Sequence, residues 1–127
     1  MRFAADSSDA RFLIQSYSKA HITINDTAYH HSLIISLDNI LSSWPVTAAA
    51  QLQKAHFQEM ITLAPELILL GVGESYTLVA PTLLYALQEQ QIGVEVMSTP
   101  AACRTYNVLA AEGRRVVAAL ILQNPAT

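Results

Sequence analysis

Residues 95 to 109 read EVMSTPAACRTYNVL and hold most of what could do chemistry in this chain. Cys103, the sole cysteine, stands next to Arg104, and Thr105, Tyr106 and Asn107 follow directly. A thiol near a helix N-terminus can act as a nucleophile or redox group, because the dipole there lowers its pKa. A cysteine in the same place also serves as a small buried residue. No histidine is placed by sequence to activate it, so packing is the simpler role. Arg104 falls in the first turn of a helix, where positive charge opposes the macrodipole. A salt bridge to Glu95 or Glu112 would offset that, and so would an anionic ligand. Tyr106 and Asn107 either orient such a ligand or satisfy backbone groups.

A second segment, GVGESY at residues 71 to 76, follows an apolar run and has the glycines of a tight turn. It is not a phosphate fingerprint: the third glycine of GxGxxG would fall at Tyr76, and no Gly-Lys-Ser/Thr follows. Glu74 would also repel a phosphate. Glu74 and Glu95 each lie near a strand end and could face a shared substrate. The expected ligand cleft lies between Gly71–Glu74 and Thr99–Asn107, with Gly71, Gly73, Glu74, Glu95, Thr99, Arg104, Thr105, Tyr106 and Asn107 as its residues. His21, His30, His31 and His56 have no metal-ligand spacing. No catalytic residue, metal or cofactor is expected.

The elements that must position these residues follow from periodicity. RFLIQSYS and HITIN alternate with period two, Phe12, Ile14 and Ser16 facing one way and Leu13, Gln15 and Tyr17 the other, with SKA turning a hairpin. NDTAYHH has loop chemistry, with turn residues at Asn25 and Asp26. SLIISL reads as a strand and DNILSSWP as an irregular connection, where Pro45 stops pairing. TAAAQLQKAHFQEMITL, from Thr47, reads as a helix ended by Pro65. ELILLGVG, APTLLYALQEQQ, GVEVM, TPAACRTYNVLAAEG and RRVVAALIL then give strand, helix, strand, helix, strand. In the last helix Thr99 would cap the first turn ahead of Pro100, and Gly113 would stop it. Ala101, Ala102, Thr105, Val108 and Leu109 would form its inner face. The implied fold class is α/β: a mixed central sheet with flanking helices and an appended N-terminal β-hairpin, in one domain over residues 1–127.

Composition narrows the function. Of the 127 residues, 52% are hydrophobic and 13% charged, enough apolar content to bury sheet strands on both faces and to leave surface for self-association. No apolar run reaches the roughly 20 residues of a membrane span. A net charge of −3 argues against a nucleic-acid partner. One cysteine and an N-terminus without a long apolar core or a basic, acid-poor targeting pattern point to the cytoplasm. Trp44 reads as packing or as a partner contact.

LLGVGE, followed by GVEVMSTPAACRTYNVLAAEGRRVVAALI, resembles the small-domain family of the mitochondrial respiratory complex I assembly factor three and the adipogenesis-associated domain protein. The resemblance is strongest over residues 66 to 122 and looser over 13 to 45. It implies a three-layer β plus α/β fold, and it matches Gly71, Gly73, Glu95, Thr99, Ala102, Arg104, Thr105, Tyr106 and Asn107 to the family's motif. Ser98 and Pro100 depart from it, standing where many members have an acidic residue and a glycine. The resemblance brings no established reaction. It implies a non-enzymatic interaction or assembly domain with protein partners. A small anionic-ligand binder using the cleft is the alternative, and an enzyme using Cys103 or a glutamate comes last. A homo-oligomer fits any of the three.

Overall fold

The computed structural model describes residues 11–123; the N-terminal segment read above for targeting signals lies largely outside them. Three layers are stacked. The middle layer is a five-stranded sheet built from β4 (Leu33–Ile35), β5 (Ile40–Leu41), β6 (Leu67–Gly71), β7 (Gly93–Met97) and β8 (Val116–Leu120), in the order β5-β4-β8-β6-β7. β6 pairs in parallel with both β7 and β8, as helix-separated strands must, while β4 runs antiparallel to β8 and to β5. Alternation divides the central strands between two cores: Ile34, Ile68, Leu70, Val117 and Ala119 face one way, and Leu33, Ile35, Leu69, Ala118 and Leu120 the other.

The first core is covered by α1 (Gln58–Thr62), α2 (Pro81–Gln88) and the irregular chain before them, through Trp44, Val46, Leu52, Phe57, Met60 and Leu87. The second is covered by α3 (Thr99–Ala111) and a separate three-stranded antiparallel sheet of β1 (Ile14–Tyr17), β2 (Ile22–Ile24) and β3 (Thr27–Tyr29). The mixed sheet, the flanking helices and the N-terminal hairpin thus match the fold class read from sequence.

Several boundaries differ from the sequence reading. Asn25 and Asp26 do turn the chain, both at positive φ (49° and 69°), but the turn returns as β3, so the hairpin gains a third strand where a loop was expected. DNILSSWP contains β5 ahead of Pro45. The helix expected from Thr47 is instead two 3-10 turns, Ala49–Gln51 and Lys54–Phe57, leading into the short α1. The reason is geometric: on one straight helix Leu52 and Phe57 would point about 140° apart, yet both are buried in the same core. Extended backbone at Leu52 and Gln53 breaks the chain between the two turns so that each can turn inward. Trp44 is buried, and its indole N–H donates to the carbonyl of His56 at 3.0 Å, which settles it as packing.

Candidate functional site

β6 and β7 end together at Gly71 and Met97, so the loops leaving them share one edge of the sheet. α3 starts there. Ser98, not Thr99, is the N-cap: its hydroxyl accepts from the Ala101 N–H at 3.4 Å, and Pro100 occupies the first turn. Thr99 is fully buried and turns its hydroxyl the other way, accepting from the Gly73 N–H at 2.9 Å and donating to the Ile121 carbonyl at 2.8 Å. Its own N–H donates to the Gly73 carbonyl at 2.7 Å. A Cβ on Gly71 would lie 2.9 Å from the Thr99 Cα and 3.2 Å from the Ala102 Cβ. Gly73 takes φ of +118°. Gly71, Gly73 and Thr99 are therefore brought together, but as a packed seam that leaves no room for a ligand between them.

The inner face of α3 is Thr99, Ala102, Cys103, Tyr106 and Ala110, while Val108 is exposed and Thr105 half-buried on a flank. This corrects the face expected from apolar counting, because main-chain groups of Phe12, Ile14 and Ser36 meet the polar side chains of α3. The fully buried Tyr106 places its hydroxyl 2.8 Å from the Phe12 carbonyl and 2.9 Å from that of Ser36. Burial, with the charge of Asp38 second, holds this phenol well above the usual tyrosine range. Asn107 grips one residue of β1 twice: its carbonyl accepts from the Ile14 N–H at 2.8 Å, and its amide donates to the Ile14 carbonyl at 2.6 Å. Asn107 fastens the small sheet to the helix, and Tyr106 ties the helix to the chain just before β1 and just after β4.

Arg104 is exposed. Among the described residues the one salt bridge joins Arg114 to Glu66 at 3.3 Å on the surface, so the bridge from Arg104 to Glu95 or Glu112 is not formed. Glu95 is exposed on the edge strand β7, opposite Leu69. Glu74 accepts a hydrogen bond from the Tyr17 hydroxyl at 2.8 Å. Cys103 is buried, and that burial pushes its thiol up from 9.0 to about 12, with Arg104 opposing the rise. It is a neutral thiol at physiological pH, unlike the depressed thiolates of reactive cysteines.

The hollow that these residues do form lies on the other side of α3. It has a volume of about 300 Å³ and is walled by residues 14–17 of β1 against Pro100, Cys103, Arg104 and Asn107. A neighbouring hollow of about 200 Å³ shares Tyr17 and adds Lys19, Glu74 and Gln123. Tyr17 is the residue that sequence reasoning missed. Strict alternation turns it away from Ile14, but the register of β1 on β2 shifts between Ile14 and Ser16. That bulge brings Ile14 and Tyr17 to the same side, opposite the buried Ile24 and Ile22. Burial first, then the hydrogen bond to Glu74, holds its phenol well above the usual range. The described residues contain no cluster of metal-binding side chains and no helix long and apolar enough to cross a membrane.

This architecture has counterparts. A crystal structure from Bordetella parapertussis is 37% identical and superposes with a TM-score of 0.83, covering 89% of this chain and 97% of that one. The 13 kDa major membrane protein of Francisella tularensis subsp. holarctica (strain LVS) is 27% identical over 95% of this chain and 99% of its own length. NADH dehydrogenase (ubiquinone) 1 alpha subcomplex assembly factor 3 of Mus musculus is 33% identical over 85% of this chain, which spans only 59% of the mouse protein. The resemblance to the assembly-factor family, read as strongest over residues 66 to 122 and looser over 13 to 45, is thus borne out over 85% of the chain. The family described as protein of unknown function (DUF498/DUF598) matches residues 14–121, and the chain belongs to it.

Proposed function

We propose that this protein is a non-enzymatic interaction module of the assembly-factor type, which docks a protein partner through the loop after β6 and the outer face of α2. One observation carries the reading. Tyr76, Leu78 and Tyr85 are 58%, 79% and 63% exposed, all within the stretch that leaves β6 and enters α2. Large apolar side chains concentrated in one exposed segment mark interaction sites more often than scattered ones do. The polar residues that suggested chemistry support the same reading, since Thr99, Tyr106 and Asn107 are engaged in internal hydrogen bonds. The mouse relative is named for assembly of NADH dehydrogenase, and the Francisella relative for the membrane. The partner class that fits both is a subunit of a membrane-bound respiratory complex, met from the cytoplasm.

A photo-crosslinking residue at Leu78 in the native host tests this, with a second at exposed Ala50 as control. Adducts to respiratory-complex subunits at Leu78 but not at Ala50, lost when Tyr76→Ser and Tyr85→Ser accompany the probe at Leu78, are expected. Equal adducts at both positions, or adducts only to a second copy of this chain, would replace the reading with non-specific contact or self-association. Fractionation of the same cells places the adduct in cytoplasm or membrane.

A further inference from the structure

We propose that the groove between β1 and α3 is a binding site for a small oxyanion, a carboxylate or phosphate group, held by the Arg104 guanidinium and the main-chain N–H of Tyr17. The site is independent of the docking surface above and lies on the β1 side of α3, away from the seam at Gly71 and Thr99.

Three observations converge on it. Arg104 is the one charged side chain lining the groove, and among the described residues it has no ion-pair partner. A guanidinium presents a planar fork of N–H donors that matches a carboxylate or phosphate. Next, the opposite wall supplies main-chain groups. Ile14 and Tyr17 oppose Ile24 and Ile22, and the Ser18 N–H donates to the His21 carbonyl at 2.9 Å. In an antiparallel ladder that pattern makes positions 14 and 17 the pairs without cross-strand bonds, so their N–H and C=O groups point to the outer edge. Asn107 covers those of Ile14. Those of Tyr17 are left facing the groove. Finally, no anionic side chain in the groove competes for the cation: the Cys103 thiol is protonated, and the Glu74 carboxylate is tied to the Tyr17 hydroxyl and lines the adjoining hollow with Lys19. A volume of about 300 Å³ suits a small metabolite anion, at the lower end of ligand sites.

The test is a titration of the full chain at low ionic strength with sodium succinate and, separately, with inorganic phosphate, followed by backbone amide NMR. Saturable shifts centred on the amides of Tyr17, Cys103 and Arg104 are expected. Arg104→Gln should weaken them at least about tenfold, and Arg114→Gln should not. A response to succinate alone assigns a carboxylate ligand, and a response to phosphate alone assigns a phosphate. Shifts of equal affinity in wild type and Arg104→Gln, or no saturable shift with either anion, overturn the proposal. Unchanged melting of Arg104→Gln excludes misfolding as the cause of any loss.

Discussion

α3 meets its surroundings in two contrasting ways. At the seam with β6, Gly71 has no side chain, Thr99 spends both hydrogen-bonding capacities of its hydroxyl on buried main chain, and backbone lies nearly against backbone. Along β1, one helical turn further, the contact is made by side chains with space left between them, and a charged guanidinium stands at the margin. The seam has room for one set of residues only. The groove keeps a cavity, with Arg104 exposed at its lip. Polar residues of similar type, four or five positions apart on one helix, therefore have opposite meanings.

Substitutions can break this contrast, and their effects should fall in a definite order. Gly71→Val should be the most damaging, at roughly 3 kcal/mol, because its Cβ collides with the Thr99 backbone, which cannot give way as a side chain would. Denaturant unfolding measures it, and a change under about 1 kcal/mol would mean that the seam is loose. Thr99→Val preserves shape but strips the partner from the buried Gly73 N–H and Ile121 carbonyl, so about 2 kcal/mol should be lost.

Cys103→Ala should act chiefly in alkali. Its thiol titrates near 9.0 when unfolded and is raised to about 12 in the native state, so the folded form holds a proton that the unfolded chain releases. The stability this confers is complete below pH 9 and is lost as pH climbs from 9 towards 12. Wild type should therefore lose about 1 kcal/mol more than the alanine variant between pH 8 and pH 10. Equal losses would show that the thiol is open to solvent. Arg104→Gln should be the mildest, within about 0.5 kcal/mol of wild type, since the residue is exposed and unbridged. A larger loss would return Arg104 to a structural role.

Legibility from sequence follows the same contrast. β6, β8 and α3 were readable as continuous apolar runs or a proline-started helix, and β7 as a short Val-Glu-Val alternation after Gly93. The packed seam was half legible: the glycines and Thr99 stood out, but two segments that touch look in sequence like two walls of a cleft. The groove was legible on one wall only: Arg104 and Asn107 stood among the expected ligand residues, but the wall supplied by β1 did not. It depends on a one-residue shift in β1, and nothing in RFLIQSYS distinguishes a bulged strand from a regular one. The three-stranded sheet was obscured because Thr27–Tyr29 follows two turn-forming residues and has no buried side chain of its own. The inner face of α3 was misplaced because apolar counting gives no weight to a tyrosine hydroxyl that finds two carbonyls seventy or more positions away.

Those distances also bear on how the chain is made. Asn107 reaches Ile14 across 93 positions, Tyr106 reaches Phe12 across 94, and the Ser32 hydroxyl accepts from the Leu122 N–H across 90. β4 finds its central neighbour only when β8 has been synthesised. On a ribosome adding roughly 5–20 residues per second, β1, β2 and β3 can pair with one another and β4 with β5 as they emerge, but the β8 edge of β4 stays open until residues 118–120 have left the tunnel. The order of synthesis therefore makes β8 the strand that closes the central sheet, joining β4 from the first third of the chain to β6 from its middle.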